Sequence, residues 1–392
     1  MNTLIVPFHD WRKIILEGSR TRDAHFIETF RKKNNDITVV VNRPTTALEI
    51  NLKRKPNLIN HKVILKKGGF KLYQIDAKFY VIDFVSTKLI SQVTGKYLWF
   101  VEQYGHKKYI DFITEALKVL KIENEYCLLN QNIFAFKLTQ ALKPACSVFD
   151  AWDNFLKFDV YKSIEKTIEQ GYKAYGESCD FWITNSQDNI ESFQEPFNPN
   201  QLFLIKNGVD LKRFVNGENS NIPADLKEIP KPIVGFGGKI THLLDVNLIN
   251  DTMKQAESAS FVFVGQILNK EVFNAIHKLP NFYYLGDKHY DEYPNYVKNF
   301  DICIVPYVID EAKKSGANSI KVYEYLATNK KVIGTNSNGL EDLRDYLYII
   351  NNSEGFTAEI SNIDNEKLKL DITEHSWQYK FEQLNSILRD YI

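Results

Sequence analysis

A lysine and a glutamate three residues apart mark the densest chemistry in this sequence. They lie in the stretch Ser315-Gly-Ala-Asn-Ser-Ile-Lys-Val-Tyr-Glu-Tyr-Leu-Ala-Thr-Asn-Lys-Lys-Val-Ile-Gly-Thr335, which follows an apolar run. Gly316 lets a ligand approach the backbone. Asn318 or Ser319 is placed to cap a helix whose first N–H groups and positive dipole end suit phosphate oxygens. Lys321 adds a full charge in that first turn, and Glu324 shares its face, where a carboxylate can accept both hydroxyls of a ribose. The plainer alternative is a solvated surface pair. A second group is Val148-Phe-Asp-Ala-Trp-Asp-Asn-Phe155. An aspartate just past a strand end can accept a hydroxyl proton or hold the hydroxyl in place, which makes Asp153 the first candidate and Asp150 the second. Asx-turns and helix caps are the competing use. Between Leu52 and Gln74 stand seven basic residues, Lys53, Arg54, Lys55, Lys62, Lys66, Lys67 and Lys71, with no acid among them and Leu65, Phe70 and Tyr73 interleaved. Such a hairpin either rests on an anionic leaflet or lipid-pyrophosphate acceptor, or is a solvated edge whose lysines block aggregation.

The elements that must position these groups alternate between short β-branched runs and helical patterns. Residues 4–7, 24–33 and 37–42 suggest a βαβ beginning, and a hairpin-like stretch follows at 62–84 with Gly68-Gly69 near its first turn. Strands are expected near 97–101, 126–129, 147–150, 181–184 and 202–206, and helices at 108–120, 133–142 and 160–175. The segment 215–231, polar and bearing Gly217, Pro223 and Pro230, has the look of a connection between domains. Beyond it come strands at 233–235, 260–265, 282–285, 301–306 and 331–335, with helices at 245–256, 270–277 and 320–328. Val262-Phe-Val264 and Ile302-Cys-Ile-Val305 are apolar without alternation, as in strands covered on both faces. The second half therefore reads as a doubly wound sheet that gathers ligands beyond its strand carboxyl ends. A last helix at 377–388 carries Trp377, Phe381, Leu384 and Leu388 on one stripe.

A chain of 392 residues exceeds the usual size of one core, so two domains are expected, 1–208 with a returning helix at 377–392, and 209–376. Formal net charge is zero, from 49 basic and 49 acidic residues, so nothing global steers the protein to nucleic acid or to an anionic membrane, and local patches must carry any such contact. Cys127, Cys146, Cys179 and Cys303 are dispersed in apolar runs and read as buried thiols of a reducing compartment. No window approaches the roughly 18 apolar residues of a membrane span, and the N-terminus turns polar too early for a signal peptide. A cytoplasmic protein is expected, touching the inner face of the membrane if the basic hairpin meets lipid.

Lys321-Val-Tyr-Glu-Tyr-Leu-Ala327 resembles the donor-binding signature of family 4 glycosyltransferases, a Lys-x-x-Glu-Tyr-Leu-Ala helix after a strand and short loop. Lys206-Asn-Gly-Val-Asp-Leu-Lys-Arg-Phe214 resembles that family's domain junction, and Phe236-Gly-Gly-Lys-Ile240 the first loop of its donor domain. The resemblance implies a GT-B fold: α/β, two Rossmann-like doubly wound domains facing across a cleft, the C-terminal helix returning to the N-terminal domain. It puts Lys239 beside the donor diphosphate, with Gly237 and Gly238 leaving room for it, and the nucleobase near Phe282-Tyr-Tyr-Leu-Gly286 and Asp287. The Asp150 to Asp153 motif is similar to that of a subgroup acting in cell-envelope polysaccharide assembly. His9-Asp-Trp11 and Gly18-Ser-Arg-Thr-Arg-Asp-Ala-His25 stand where such enzymes admit the acceptor. Trp11, Arg20 and Arg22 are accordingly expected at the acceptor and His25 among the catalytic groups, the alternative for His25 being a satisfied histidine at a helix start. The alternative for Arg22 and Asp23 is to pair with each other or with neighbours.

The implied activity is transfer of a hexose-type sugar from a UDP- or GDP-sugar to a saccharide or lipid-linked saccharide of a surface polysaccharide. No cofactor or metal is implied, because the helix amides, Lys239 and Lys321 can neutralise the departing diphosphate. One departure bears on mechanism. The family commonly has a glutamate eight residues before the Glu324 position, and here Gly316 stands there, with Asp310 and Glu311 upstream. Retention, which the resemblance implies, thus competes with inversion through a base such as Asp153. An epimerase of the same architecture, or a sugar-nucleotide-binding subunit without activity, are the other readings.

Overall fold

The computed structural model describes residues 1–53, 60–215, 221–309, 318–337, 339–364 and 369–391. Arg54 and Lys55 of the basic stretch, Gly217 of the connection, and Asp310, Glu311, Ser315 and Gly316 lie outside the described residues. The chain divides into two compact units, residues 1–206 with 380–392, and residues 207–379.

The first unit is built on a sheet of strands β1 Asn2–Val6, β2 Thr38–Val41, β3 Thr45–Thr46, β4 Lys62–Lys67, β5 Phe70–Gln74, β6 Phe79–Ser86, β7 Tyr126–Asn130, β8 Cys146–Asp150, β9 Phe181–Thr184 and β10 Leu202–Leu204. Their order is β10-β9-β8-β7-β1-β2-β6-β5-β4, with the short β3 beside β6. Every residue of β2, β7, β8 and β9 is buried, which is why these strands are apolar runs and not alternating ones. The pairings are parallel except those of β5 with β4 and β6, which make an antiparallel meander turning at Gly68, where φ is 56°. From β1 the chain winds outward through β2 to β6, then returns to β7 on the other side of β1. Such a reversal opens a crevice at the carboxyl ends of β1 and β7.

One expected strand is a helix. Residues 97–101 fall inside Ser91–Gly105, whose Trp99, Phe100, Val101 and Tyr104 are buried. A short run of large apolar residues fits a buried strand or a buried helix equally, and here helical packing wins.

The second unit contains strands β11 Ile233–Gly237, β12 Ser260–Val264, β13 Phe282–Tyr284, β14 Ile302–Val305, β15 Lys331–Gly334 and β16 Tyr348–Ile349. All are parallel, in the order β13-β12-β11-β14-β15-β16. Val262 and Val264 serve one core while Phe261 and Phe263 serve the other, so helices cover both faces. Tyr293–Asn299, Ser353–Ser361 and β16 were not expected from the sequence. The winding reverses between β11 and β14. The last helix, Trp377–Arg389, buries its stripe: Phe381 packs edge-on against Phe30 at 4.8 Å, and Tyr391 beyond it bonds Gln201 at 2.7 Å. Among the described residues no helix is long and apolar enough to cross a membrane.

Candidate functional site

The second unit's crevice is assembled from three chain segments. Strand β11 ends at Gly237, whose N–H donates to the Tyr325 hydroxyl at 2.7 Å. Gly238 follows with φ 149°, and a Cβ there would fall 2.5 Å from Lys321 Nζ. The Lys321 ammonium therefore lies against the loop backbone. It bonds the hydroxyl of Tyr307, two residues past β14, and rides 4.6 Å above the Phe236 ring. The helix that supplies it, Ile320–Ala327, begins at Ser319 with no side-chain cap. Asn318 takes no capping role, because its side chain accepts from the Asn207 N–H at 3.0 Å. One turn on, Glu324 is buried and its carboxylate accepts the Tyr290 hydroxyl proton at 2.6 Å. Burial, and then the Glu324 charge, hold the Tyr290 pKa well above its usual value, so this phenol remains a donor. Lys239 is half-buried in the loop, and Asp287 is exposed just past β13.

The room expected at the glycines is already filled. A Cβ on Gly237 would meet the Tyr293 hydroxyl at 2.0 Å, and the space at Gly238 belongs to Lys321. These glycines bring protein groups together at the crevice, so the ammonium, not an empty cradle, faces the site.

In the first unit the carboxyl ends of β1, β7 and β8 are cross-tied. Asn132 Nδ2 donates to the Pro7 carbonyl at 3.0 Å, and the Trp152 indole N–H to the Gln131 carbonyl at 3.1 Å. At the end of β1, His9 stands with Nδ1 3.0 Å from both oxygens of Asp23, and its backbone N–H donates to the same carboxylate at 2.8 Å. Thr21 donates its hydroxyl to Asp23 at 2.6 Å and Ala24 its N–H at 2.9 Å. Burial works to raise the Asp23 pKa, but the His9 ring and these donors outweigh it and hold the carboxyl well below the usual range. The ring is 17% exposed, and no partner of Nε2 is found among the described residues. The Phe8 ring joins His9, at 5.3 Å, to half-buried Trp152, at 5.6 Å.

No family model matches the chain. A protein of Bacillus subtilis (strain 168), TuaH, provisionally assigned as a teichuronic acid biosynthesis glycosyltransferase, is 31% identical over 183 residues, 45% of this chain. The match spans 44% of that relative's length, less than half. Among solved structures, Anabaena HepE in complex with UDP and glucose superposes with a TM-score of 0.65 over 99% of both chains at 12% identity, and its UDP-glucose complex with 0.64 over all of both. The α,α-trehalose 6-phosphate synthase of Burkholderia multivorans gives 0.60 over 100% of this chain and 95% of its own, at 11% identity. This chain has the GT-B glycosyltransferase fold.

Within the GT-B fold the residues singled out in the sequence part into two groups. Gly237, Gly238, Lys239, Ser319, Lys321 and Glu324 come from two elements flanking one crevice, while Asp287 stands at the exposed end of β13. In the first unit the expected groups are held by their own neighbours. Arg22 Nε pairs with Asp150 at 2.9 and 3.1 Å, both buried, and Arg22 Nη1 donates to the Ile205 carbonyl at 2.9 Å. Gln131 donates to Asp150 as well, at 2.8 Å, so the carboxylate is taken up by the pairing. The Trp11 ring lies in the core 5.4 Å from Phe79, and His25 is buried in Arg22–Lys33. Arg20 donates to the Glu17 carbonyl at 3.0 Å. Asp153 is buried beyond β8, and the Asx cap at that turn falls to Asn154, which accepts from Leu156 N–H at 3.1 Å. The His9–Asp23 pair was missed. Both residues stand in the stretches quoted above, where Asp23 is left to pair with Arg22 or with other neighbours, and only the folded chain brings it to His9.

Proposed function

We propose that this protein is a glycosyltransferase that moves a hexose-type sugar from a UDP-sugar to a saccharide or lipid-linked saccharide acceptor in surface polysaccharide assembly. The observation that carries the reading is the Lys321 ammonium held against the Gly238 backbone where the winding reverses between β11 and β14. A cation at such a crevice fits a diphosphate. The solved UDP and UDP-glucose complexes of a protein sharing the fold, and the name of the partial relative, support the same donor and setting.

In this reading Lys321, Lys239 and the first-turn amides of Ile320–Ala327 take the diphosphate, Glu324 the ribose, and the stretch to Asp287 the base. The C1–O bond to the diphosphate breaks, and its electron pair leaves with UDP as the acceptor oxygen bonds to C1. The lysines stabilise that developing charge without calling on a metal. The acceptor proton needs a base. His9 fits, since Asp23 fixes its Nδ1 and leaves Nε2 to accept, with Asp153 the second candidate. The anomeric form of the product separates the two courses: inversion assigns His9 or Asp153 the proton, whereas retention, implied by the family resemblance, gives it to the departing diphosphate.

A calorimetric screen of UDP, GDP, CMP and several UDP- and GDP-sugars against the purified protein tests the proposal. Saturable binding selective for UDP compounds, weakened in Lys321→Ala, is expected. Absence of binding to all of them overturns it.

A further inference from the structure

Beyond the carboxyl end of β6 lies a surface that includes none of the residues assigned above to donor or acceptor. Strand β6 ends at Ser86, and Lys88-Leu-Ile-Ser-Gln-Val93 then opens the helix Ser91–Gly105. Leu89, Ile90 and Val93 are 50%, 66% and 66% exposed. Thr94 N–H donates to the Ile90 carbonyl at 3.0 Å, so Ile90 and Val93 share one helical turn. The helix breaks at Lys96, with φ 47° and ψ −128°, and the buried run Trp99 to Val101 lies on the far side of the break. This first turn thus stands as an apolar knuckle, and apolar groups gathered in the open mark a contact surface.

The knuckle has basic neighbours. Val85 N–H donates to the Gly69 carbonyl at 3.0 Å and Phe70 stacks on Phe84 at 4.2 Å, so the β4–β5 turn runs alongside the chain that leads to Lys88. Lys66 and Lys67 are exposed on that hairpin, and Lys88 and Lys96 on the knuckle. Lys67 meets Glu115. No acidic residue occurs between Asn60 and Ile75 or between Phe84 and Val101. Aliphatic side chains bordered by uncompensated cations complement an anionic bilayer, whose headgroups take the charges and whose acyl boundary takes the side chains. An acidic protein surface would answer the lysines and leave Leu89, Ile90 and Val93 without a partner.

We propose that Leu89, Ile90 and Val93, with Lys88 and Lys96, dock the protein on the surface of an anionic lipid bilayer. The proposal is independent of the transfer reaction and stands or falls without it.

Cosedimentation of the full chain with phosphatidylglycerol–phosphatidylcholine vesicles, and with phosphatidylcholine vesicles alone, is the test. Partition onto the anionic vesicles that weakens as salt rises is expected. Ile90→Glu with Val93→Glu lowers it about tenfold or more, and Lys88→Gln and Lys96→Gln about fivefold each. All of these side chains are exposed, so the melting temperature and UDP binding serve as controls that stay in place. No partition, equal partition onto both vesicles, or undiminished partition of either set of variants overturns the proposal. A dimer by light scattering that the Ile90→Glu, Val93→Glu variant dissolves overturns it as well, by giving the patch to a second copy of the chain.

Discussion

At the scale of single residues, Lys321 and Glu324 call for different substitutions. Lys321 spans from its helix to Gly238 and Tyr307, so Lys321→Ala removes a charge without emptying the core. UDP affinity is expected to fall roughly 10- to 100-fold by calorimetry, the size of one or two charge-assisted hydrogen bonds, with the melting temperature little changed. Glu324→Ala would also leave the buried Tyr290 hydroxyl without this acceptor, at a cost of about 1–3 kcal/mol. Glu324→Gln keeps an oxygen for Tyr290 and removes the charge, so it should weaken nucleotide binding while leaving the melting curve nearly intact. Equal affinity in the Gln variant would remove the ribose role. Asp23 behaves differently because its folded pKa is depressed. Its contribution is complete above the ordinary carboxylate value of about 3.9 and is lost as pH falls below that toward the folded value. Asp23→Asn should therefore be less stable than the wild type at pH 7 by about 3–5 kcal/mol, and the gap should close in melts below about pH 4. A gap independent of pH would mean that the charge contributes nothing.

At the scale of elements, two glycines near one strand should respond oppositely. Gly235 lies within β11, where a Cβ would sit 2.0 Å from the buried Phe300 ring. Gly235→Ala overpacks a core with no slack and should cost about 1–3 kcal/mol or more. At Gly238 a Cβ would meet the movable end of Lys321, though φ 149° adds strain. Gly238→Ala should displace the ammonium and lower UDP affinity more than it lowers the melting temperature. Paired calorimetry and thermal melts of the two variants check this, and a larger stability loss at Gly238 than at Gly235 would contradict it. The helix Ser91–Gly105 shows why such elements escape a local reading: Tyr97-Leu-Trp-Phe-Val101 has no polar residue to set a period, so the partner surfaces choose the conformation.

At the scale of the whole molecule, the last residues of the chain belong to the first unit. Phe381 against Phe30, buried Leu384 and Leu388, and Tyr391 against Phe181 and Gln201 close a core begun by the first residues. Phe381→Ala should cost about 3–5 kcal/mol, visible in denaturant melts. Removing residues 380–392 should expose the Phe30 surface and destabilise the first unit far more than any loop deletion. A truncated chain that melts like the full one would show the helix to be an accessory.

The sequence by itself determined what each segment could become. The unbroken apolar runs of β12 and β14 marked strands covered on both faces, the stripe from Trp377 to Leu388 marked a helix needing a partner surface, and the Lys321 and Glu324 spacing marked a helix with a polar edge at a strand end. The α/β class follows from such short-range periods, because backbone geometry ties the period of burial to the type of element. Tertiary structure alone decided which side chains meet. Arg22 passes over its neighbour Asp23 for Asp150, 128 residues away, Asp23 turns to His9, and Tyr290 reaches Glu324. These partnerships depend on strand order and on which ends come together, and an unpaired buried charge is too costly to leave any of them to chance. Neighbours in the chain cannot reveal them, since they are set by distances through space that exist only once both sheets have formed.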